Sequence, residues 1–415
     1  MKINSRTLLN FSVLFLALIF YYYEFILQVS PSLLLDAITG DKELSAATIG
    51  VISGSFYYTY ALMQVPAAII LNRWGIKKTF LFSVFTCSFG CFLFSYNSLF
   101  LMIAGRIIMG LGASFAFIMI LAICAHRFPL KLFPVLAAVA QIFSALGAIS
   151  GQILIRIMAN SLRIHSIFLI LTGFGIALFV AGLITLSVSS KEDQSHRKDD
   201  FFSENFWHNE LNFIKEIFRK KENITLFFYS FMIWSQITAF IALWGVPYLD
   251  LLRNDGQVNI AKIMSLSWIG LALGSISLGL LCNQVRSQRN LLILCSCLGA
   301  AAAAAVILMP TMNIFLLLFS IFLIGFSSSG QNLVFSLLRT TNPLRIVNTA
   351  NGFNNLFILL SGLIMQPLIG MLISSQKTID TIASTSIRNA LLIIPGLLIA
   401  ATLIIIFGLK KNHDN

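Results

Sequence analysis

Twelve mostly apolar stretches, each close to the length that crosses a bilayer as a helix, run through this chain: Leu8–Ser32, Ala46–Leu71, Thr79–Ser95, Leu99–Ala122, Phe133–Ile155, Ile164–Leu186, Ile224–Val246, Ile263–Leu281, Asn290–Leu308, Ile314–Leu337, Ala350–Ile373 and Ile387–Leu409. A spanning helix needs roughly 20 such residues. In lipid every backbone N–H and C=O must be satisfied inside the segment, and a helix does this alone. Charged residues make up 11% of the chain, against roughly a quarter in a soluble protein. A chain of 415 residues with so thin a polar skin has lipid as its main solvent. The predicted class is an all-α polytopic membrane protein of twelve transmembrane helices. Pro66, Pro367 and Pro395 lie inside spans, where neighbouring helices re-satisfy the freed backbone groups.

One long polar stretch, residues 187–223, divides the chain into six spans (1–186) and six more (224–415). It contains KEDQSHRKDD, and later Phe202, Phe206, Phe213 and Ile217 at spacings of four, seven and four, with Ile214 beside them. That pattern fits a short amphipathic helix at the membrane surface; a disordered linker is the alternative. With the N-terminus inside, twenty of the 28 Lys and Arg fall on the cytoplasmic side and seven on the other, with Arg106 inside a span. The asymmetry obeys the positive-inside rule and predicts both termini in the cytoplasm. In a soluble chain the net charge of +12 would raise nucleic acid as a partner; here the basic residues sit in short gaps between spans, so no nucleic acid is expected. The basic loops Asn72–Lys78 and Asn283–Arg289 echo each other half a chain apart, as in parallel six-helix repeats.

Cys87, Cys91, Cys124, Cys282, Cys295 and Cys297 lie in or beside apolar runs without paired C-x-x-C spacing, which points to core thiols and no metal. No small-residue cleavage site follows the first apolar run, so it is expected as a retained helix.

The stretch QVPAAIILNRWGIKKTF, Gln64–Phe80, resembles the loop between helices 2 and 3 of the major facilitator superfamily. Arg73, Gly75, Lys77 and Lys78 match the family pattern. Ala68 stands where Gly is usual, and Asn72 where Asp is usual. In the family that Asp latches a cytoplasmic gate by charge; Asn72 can hydrogen-bond but cannot form an ion pair. AGRIIMGLGAS resembles the helix 4 motif through Arg106 and Gly110, and AQIFSALGAISGQ the helix 5 motif through Gly147 and Gly151. Small residues four apart let helices approach closely. The resemblance implies the major facilitator fold, and YYYEFILQVSPS in span 1 is similar to a bacterial subgroup related to the lysosomal dipeptide transporters. The subgroup implies amino acids or short peptides as substrates.

Ionisable groups inside a membrane are costly and mark function by default. Glu24 lies about two thirds of the way along span 1, and Arg106 about one third into span 4. The spans run in opposite directions, so both residues fall at nearly the same depth. The resemblance places helices 1 and 4 along a central cavity, so the two are expected to face each other or one cavity. Two readings stay open: a fixed ion pair holding the helices together, and a coupling device in which Glu24 gains and loses a proton or Arg106 turns to a substrate carboxylate. Tyr23, Gln28, Tyr57, Tyr60, Gln64, Gln141 with Ser144, Trp234, Gln236, Ser328, Gln331, Asn332, Asn354 and Asn355 with Asn351 are further candidates for hydrogen bonding a neutral or zwitterionic solute; each singly is more often a helix–helix contact, and a Tyr near a span end also suits the interfacial belt, but as a set they favour a cavity. Arg156 and Arg163 are read as interfacial anchors, with a substrate-attracting vestibule as the alternative.

These observations predict a secondary transporter of a small polar solute, an amino acid, short peptide or similar metabolite, by alternating access. A coupling proton, a lipid bilayer and a monomeric state are expected, with no cofactor. Organic-anion transport and export of a siderophore or drug-like compound are the alternatives. Without a G-x-x-x-x-G-K-[ST] run, direct ATP drive is not expected. An intramembrane enzyme would need a nucleophile–base pair, a carboxylate pair or a metal cluster in the spans, and a channel a pore loop or charged ring. Composition suggests a bacterial plasma membrane.

Overall fold

The computed structural model describes residues 5–31, 45–96, 98–129, 132–189, 204–253, 257–281, 287–375 and 384–409. These residues build helices throughout. In chain order they are α1 (Ser5–Val29), α2 (Ala46–Gly54), α3 (Phe56–Leu62), α4 (Gln64–Ser95), α5 (Leu99–Ala113), α6 (Ala116–Arg127), α7 (Phe133–Ala159), α8 (Ile164–Ser189), α9 (Glu204–Arg219), α10 (Lys221–Ser235), a π-helical segment (Gln236–Trp244), α11 (Gly245–Arg253), α12 (Gln257–Leu281), α13 (Gln288–Leu308), α14 (Ile314–Ser328), α15 (Gly330–Thr341), α16 (Leu344–Ser375), α17 (Ser384–Leu391) and α18 (Ile393–Gly408). The chain is an all-α polytopic membrane protein. Among the described residues eleven helical stretches are long and apolar enough to cross a membrane.

The expected second span, Ala46–Leu71, is helical but interrupted, so it is not one unbroken crossing. Its hydrogen-bond ladder lapses at Ser55 and Met63, which keep helix-like angles (φ −63°, ψ −22° and φ −83°, ψ −2°). Pro66 has no N–H to return to the carbonyl of Leu62, which accounts for the lapse at Met63. The chain then turns between its second and third spans at Gly75, whose φ of 72° and ψ of 171° suit a residue without Cβ.

The chain divides into two compact units. Unit 1 comprises Met1–Ser30 and Ser55–Ser203, and unit 2 comprises Pro31–Gly54 and Glu204–Asn415.

Unit 1 is organised by small residues that let helix backbones touch. Gly147 and Gly151 of α7 abut α1 at Tyr22 and Phe25 and at Ile26 and Val29. This close seam flanks Glu24 on both sides. Gly110 of α5 lies directly against the carbonyl of Phe56 on α3, where any side chain would overlap it. Thr59 ties the same helices together by donating to Ile107 O at 2.5 Å. Phe20, Phe80, Phe94, Phe115 and Phe168 fill the interior, and Phe94 and Phe168 are 4.1 Å apart between ring centroids.

In unit 2, α2 runs against α16. Gly50 meets Gln366 and Pro367, Gly54 meets Pro367, and Ala47 N–H donates to Ser374 Oγ at 3.0 Å. The π-helical segment is buried along its whole length. Large apolar side chains such as Phe315 and Phe407 point outward, 78% and 84% exposed, as lipid-facing positions should.

Of the expectations above, Phe202 and the run KEDQSHRKDD lie outside the described residues, as do Cys282 and the basic residues Lys2, Lys42, Lys131, Arg286, Lys377, Lys410 and Lys411.

Candidate functional site

In unit 1, Glu24 and Arg106 sit beside two close seams, of α1 with α7 and of α3 with α5. Glu24 is wholly buried on α1, between the turns that α7 presses against. Arg106 is wholly buried on α5, one turn before Gly110. Because Gly110 brings α5 onto Phe56, the Arg106 guanidinium lies over that ring, 4.6 Å from its centroid. A cation over an aromatic face in a dry setting is worth roughly 2 kcal/mol. The same guanidinium donates through Nη1 to Leu27 O at 2.6 Å and through Nη2 to Gln28 O at 3.4 Å. Those carbonyls belong to the last turn of α1, where intrahelical partners run out. Arg106 therefore caps α1 as well as carrying charge.

Neither Glu24 carboxylate oxygen has a hydrogen-bond partner among the described residues. Glu24 and Arg106 are within electrostatic reach of each other, as are Glu24 and the hydroxyls of Tyr21, Tyr57 and Tyr60. The Arg106 fork points at main-chain carbonyls, and the carboxylate is left without a donor. A buried carboxylate without a donor is costly when ionised.

Gln28 Nε2 donates to the Tyr57 hydroxyl at 3.2 Å, and both are buried. Gln64 Nε2 donates to Tyr60 O at 3.0 Å. Tyr21, Tyr57, Tyr60 and Gln28 thus gather with Glu24 and Arg106. Tyr23 faces elsewhere: its hydroxyl donates to Leu171 O at 2.8 Å and sits 3.4 Å from Cys91 Sγ, a contact to α8 and α4. Gln141 is half-buried, and Ser144 donates to its carbonyl at 2.8 Å. In the loop after span 2, Arg73 and Lys78 are exposed, and Lys77 Nζ donates to Ser187 Oγ at 3.0 Å. The Asn72 side chain is outside what the structure describes.

Unit 2 gathers polar groups around the π-helical segment. Gln236 Nε2 donates to Ser327 Oγ at 3.1 Å. Thr238 Oγ1 and Ser361 Oγ are 3.0 Å apart. Gln366 Nε2 donates to Thr238 O at 2.8 Å, and Trp244 Nε1 donates to Gln366 O at 3.2 Å. A widened turn shifts the backbone ladder and frees carbonyls, and such turns recur at functional sites. Here Gln366 takes up the carbonyl of Thr238. Asn354 is fully buried, and neither amide atom has a hydrogen-bond partner among the described residues. Ser328 donates within its own helix to Ile324 O at 2.8 Å. Gln331 Nε2 donates to Asn332 Oδ1 at 3.2 Å, and Asn332 Nδ2 to Ser275 Oγ at 2.9 Å. Trp234, Asn351 and Asn355 are half-buried.

Sequence reasoning missed Phe56 and Tyr21 in unit 1, and Thr238, Ser361, Gln366 and Trp244 in unit 2. Phe56 and Tyr21 read as ordinary membrane aromatics. QITAFIALW reads as a plain apolar helix, and no periodicity marks a π turn. Among the described residues no group of His, Cys, Asp or Glu could hold a metal ion.

The sequence profile of the Major Facilitator Superfamily matches residues 12–366. The chain is 24% identical over 375 residues to "Probable galactarate/D-glucarate transporter GarP" of Escherichia coli K12, covering 82% of this chain and 83% of that one. It is 28% identical over 211 residues to "Probable anion transporter 6, chloroplastic" of Arabidopsis thaliana; that match takes in 48% of this chain and spans only 39% of the plant protein's length. Its fold superposes with a TM-score of 0.75 on a crystal structure of a bacterial homolog to the human lysosomal transporter Spinster, at 14% identity and covering 96% and 97% of the two chains. With the family profile spanning most of its length, the chain belongs to the Major Facilitator Superfamily and is a secondary transporter of that family.

Proposed function

We propose that this transporter moves a small polar solute bearing a carboxylate and couples its movement to a proton through Glu24. One observation carries the reading: Glu24 is fully buried with no hydrogen bond among the described residues, within electrostatic reach of Arg106. A proton on Glu24 removes a charge that its surroundings do not pair. Arg106 holds two main-chain carbonyls, which are neutral acceptors. A substrate carboxylate is a stronger acceptor for the same fork, roughly twice as strong per bond. Exchanging carbonyls for a carboxylate would loosen the last turn of α1, which also carries Gln28. That links substrate arrival to the helix bearing the proton site.

Within carboxylate-bearing solutes, a hydroxylated organic acid is favoured by the names of the two relatives, an anion transporter and a sugar-acid transporter. Gln28, Tyr57 and Tyr60 supply neutral hydrogen-bonding groups suited to hydroxyls. Amino acids and short peptides form the second reading, favoured by the fold likeness to the Spinster homolog. We further propose two six-helix halves joined by residues 187–223, a monomer, and a bacterial plasma membrane with both termini cytoplasmic, which terminal reporter fusions would test.

The test is uptake into proteoliposomes of labelled sugar acids, other organic acids, amino acids and dipeptides, with and without an imposed pH gradient. Gradient-driven uptake of one acid class by the wild type is expected. Glu24→Gln should lose that accumulation while keeping gradient-free exchange. Equal accumulation by wild type and Glu24→Gln rules out coupling at this residue, and movement of uncharged solutes alone rules out the carboxylate.

A further inference from the structure

The helix α9 directly precedes α10 and is held firmly to it. Ile217 is buried, and Phe213 and Ile214 are half-buried. The Phe218 ring meets Phe353 at 5.0 Å and Phe227 at 5.9 Å, both edge-on. Just beyond, Asn223 Nδ2 donates back to Ile217 O at 3.0 Å. Asn223 and Asn342 exchange amide hydrogen bonds of 3.1 Å and 2.9 Å, and Lys220 Nζ donates to Thr341 O at 2.8 Å and Asn342 Oδ1 at 3.2 Å. The end of α9 is thereby clasped to the start of α10 and the end of α15.

The clasp leaves a particular surface facing out. At 3.6 residues per turn, Lys215 and Arg219 stand one turn apart on the outward face of α9, between Phe218 on one edge and half-buried Glu216 on the other. Lys215, Arg219 and, at the start of α10, Lys221 are exposed. Phe218 stays 36% exposed despite its ring contacts. Below it on α10, Phe228 is 46% exposed, in ring contact with Phe357 of α16 at 5.3 Å. It lies one turn from Thr225, which abuts Gly408 of α18. An aromatic strip therefore leads from the seam of three membrane helices up to a cluster of exposed cations.

We propose that Lys215, Arg219 and Lys221 form a binding surface for the headgroups of anionic phospholipids, with acyl chains along Phe218 and Phe228. The positive charge answers the phosphate, and the adjoining aromatic strip answers the chains. A soluble acidic partner would use the first and have no need of the second. Because α9 is clasped to both α10 and α15, a lipid seated here bears on the ends of two spans of unit 2.

The test uses the full-length protein in detergent micelles, titrated with phosphatidylglycerol or phosphatidylcholine, with bound lipid counted by native mass spectrometry. Phosphatidylglycerol should bind in preference, and rising salt should weaken it. Each basic residue near an anionic surface is worth about a fivefold change in affinity. The triple variant Lys215→Gln, Arg219→Gln, Lys221→Gln should therefore lose on the order of a hundredfold. If the triple variant does not fold, each single variant should show its own fivefold loss, and a Lys215→Arg, Arg219→Lys, Lys221→Arg swap should bind as the wild type does. Unchanged phosphatidylglycerol binding in the Gln variants would overturn the proposal. Equal binding of glycerol phosphate without acyl chains would overturn it too, leaving a soluble-phosphate site.

Discussion

A double-mutant cycle on Glu24 and Arg106 distinguishes a fixed ion pair from the arrangement described here. Arg106 donates to two carbonyls and covers the Phe56 ring. Hydrogen bonds from a charged donor are worth roughly 1.5–3 kcal/mol each, and the ring contact about 2 kcal/mol. Relief of the cation's own desolvation offsets part of this, so Arg106→Ala should cost about 3–5 kcal/mol, the range for breaking a buried charged contact. Glu24 makes no hydrogen bond among the described residues, and Gln is nearly the same shape, so Glu24→Gln should change stability by less than about 1 kcal/mol. Two charges in contact at about 4 Å would attract by roughly 4 kcal/mol at the effective dielectric of proteins. No hydrogen bond joins Glu24 to Arg106 among the described residues, so the cycle should return a coupling below about 2 kcal/mol. The assay is thermal unfolding of the four proteins in one detergent, where each kcal/mol moves the midpoint by about 2–4 °C for a unit of this size. Glu24→Gln should stay within about 4 °C of wild type, and Arg106→Ala should fall by roughly 6–20 °C. If Glu24→Gln melts as low as Arg106→Ala and the double variant recovers, the two form an ion pair and the reasoning fails.

Three further outcomes follow from the packing. Gly110→Ala puts a Cβ into Phe56 O and within 2.8 Å of Thr59 Oγ1; overpacking of this kind costs about 1–3 kcal/mol, read as a lower melting midpoint, and an unchanged midpoint would show that α3 and α5 part easily. Asn342→Leu takes the donor from the buried Asn223 Oδ1, while Nδ2 keeps Ile217 O, at about 1–3 kcal/mol; faster amide exchange at the start of α10 checks it. Gly75→Ala forces a side chain into a positive φ near ψ 171°, a region nearly confined to glycine, with open space around it; the cost should be about 1–3 kcal/mol from the backbone alone, seen as a drop in midpoint without aggregation.

Much of the molecule was written in the sequence because lipid leaves few options. An apolar run of spanning length must be a helix, so the class and nearly every crossing could be read directly. Glu24 and Arg106 stood out for the same reason, since a charge in such a run is costly. Gly147 and Gly151 signalled close approach by their spacing, and the structure shows what they approach; Gly110 entered only through a motif resemblance, and its contact with Phe56 is legible in the fold alone. The sequence could not say which way side chains point. Tyr23 and Gln28 sit five residues apart on α1, yet one binds a carbonyl of α8 and the other the hydroxyl of Tyr57. The π turn at Gln236–Trp244 depends on Gln366 and Ser361, more than a hundred residues later. The partners of the Arg106 guanidinium are carbonyls, which every residue carries and no sequence marks. Burial cost is local and legible in one dimension, whereas hydrogen-bond direction is set by neighbours that only the folded helices bring near.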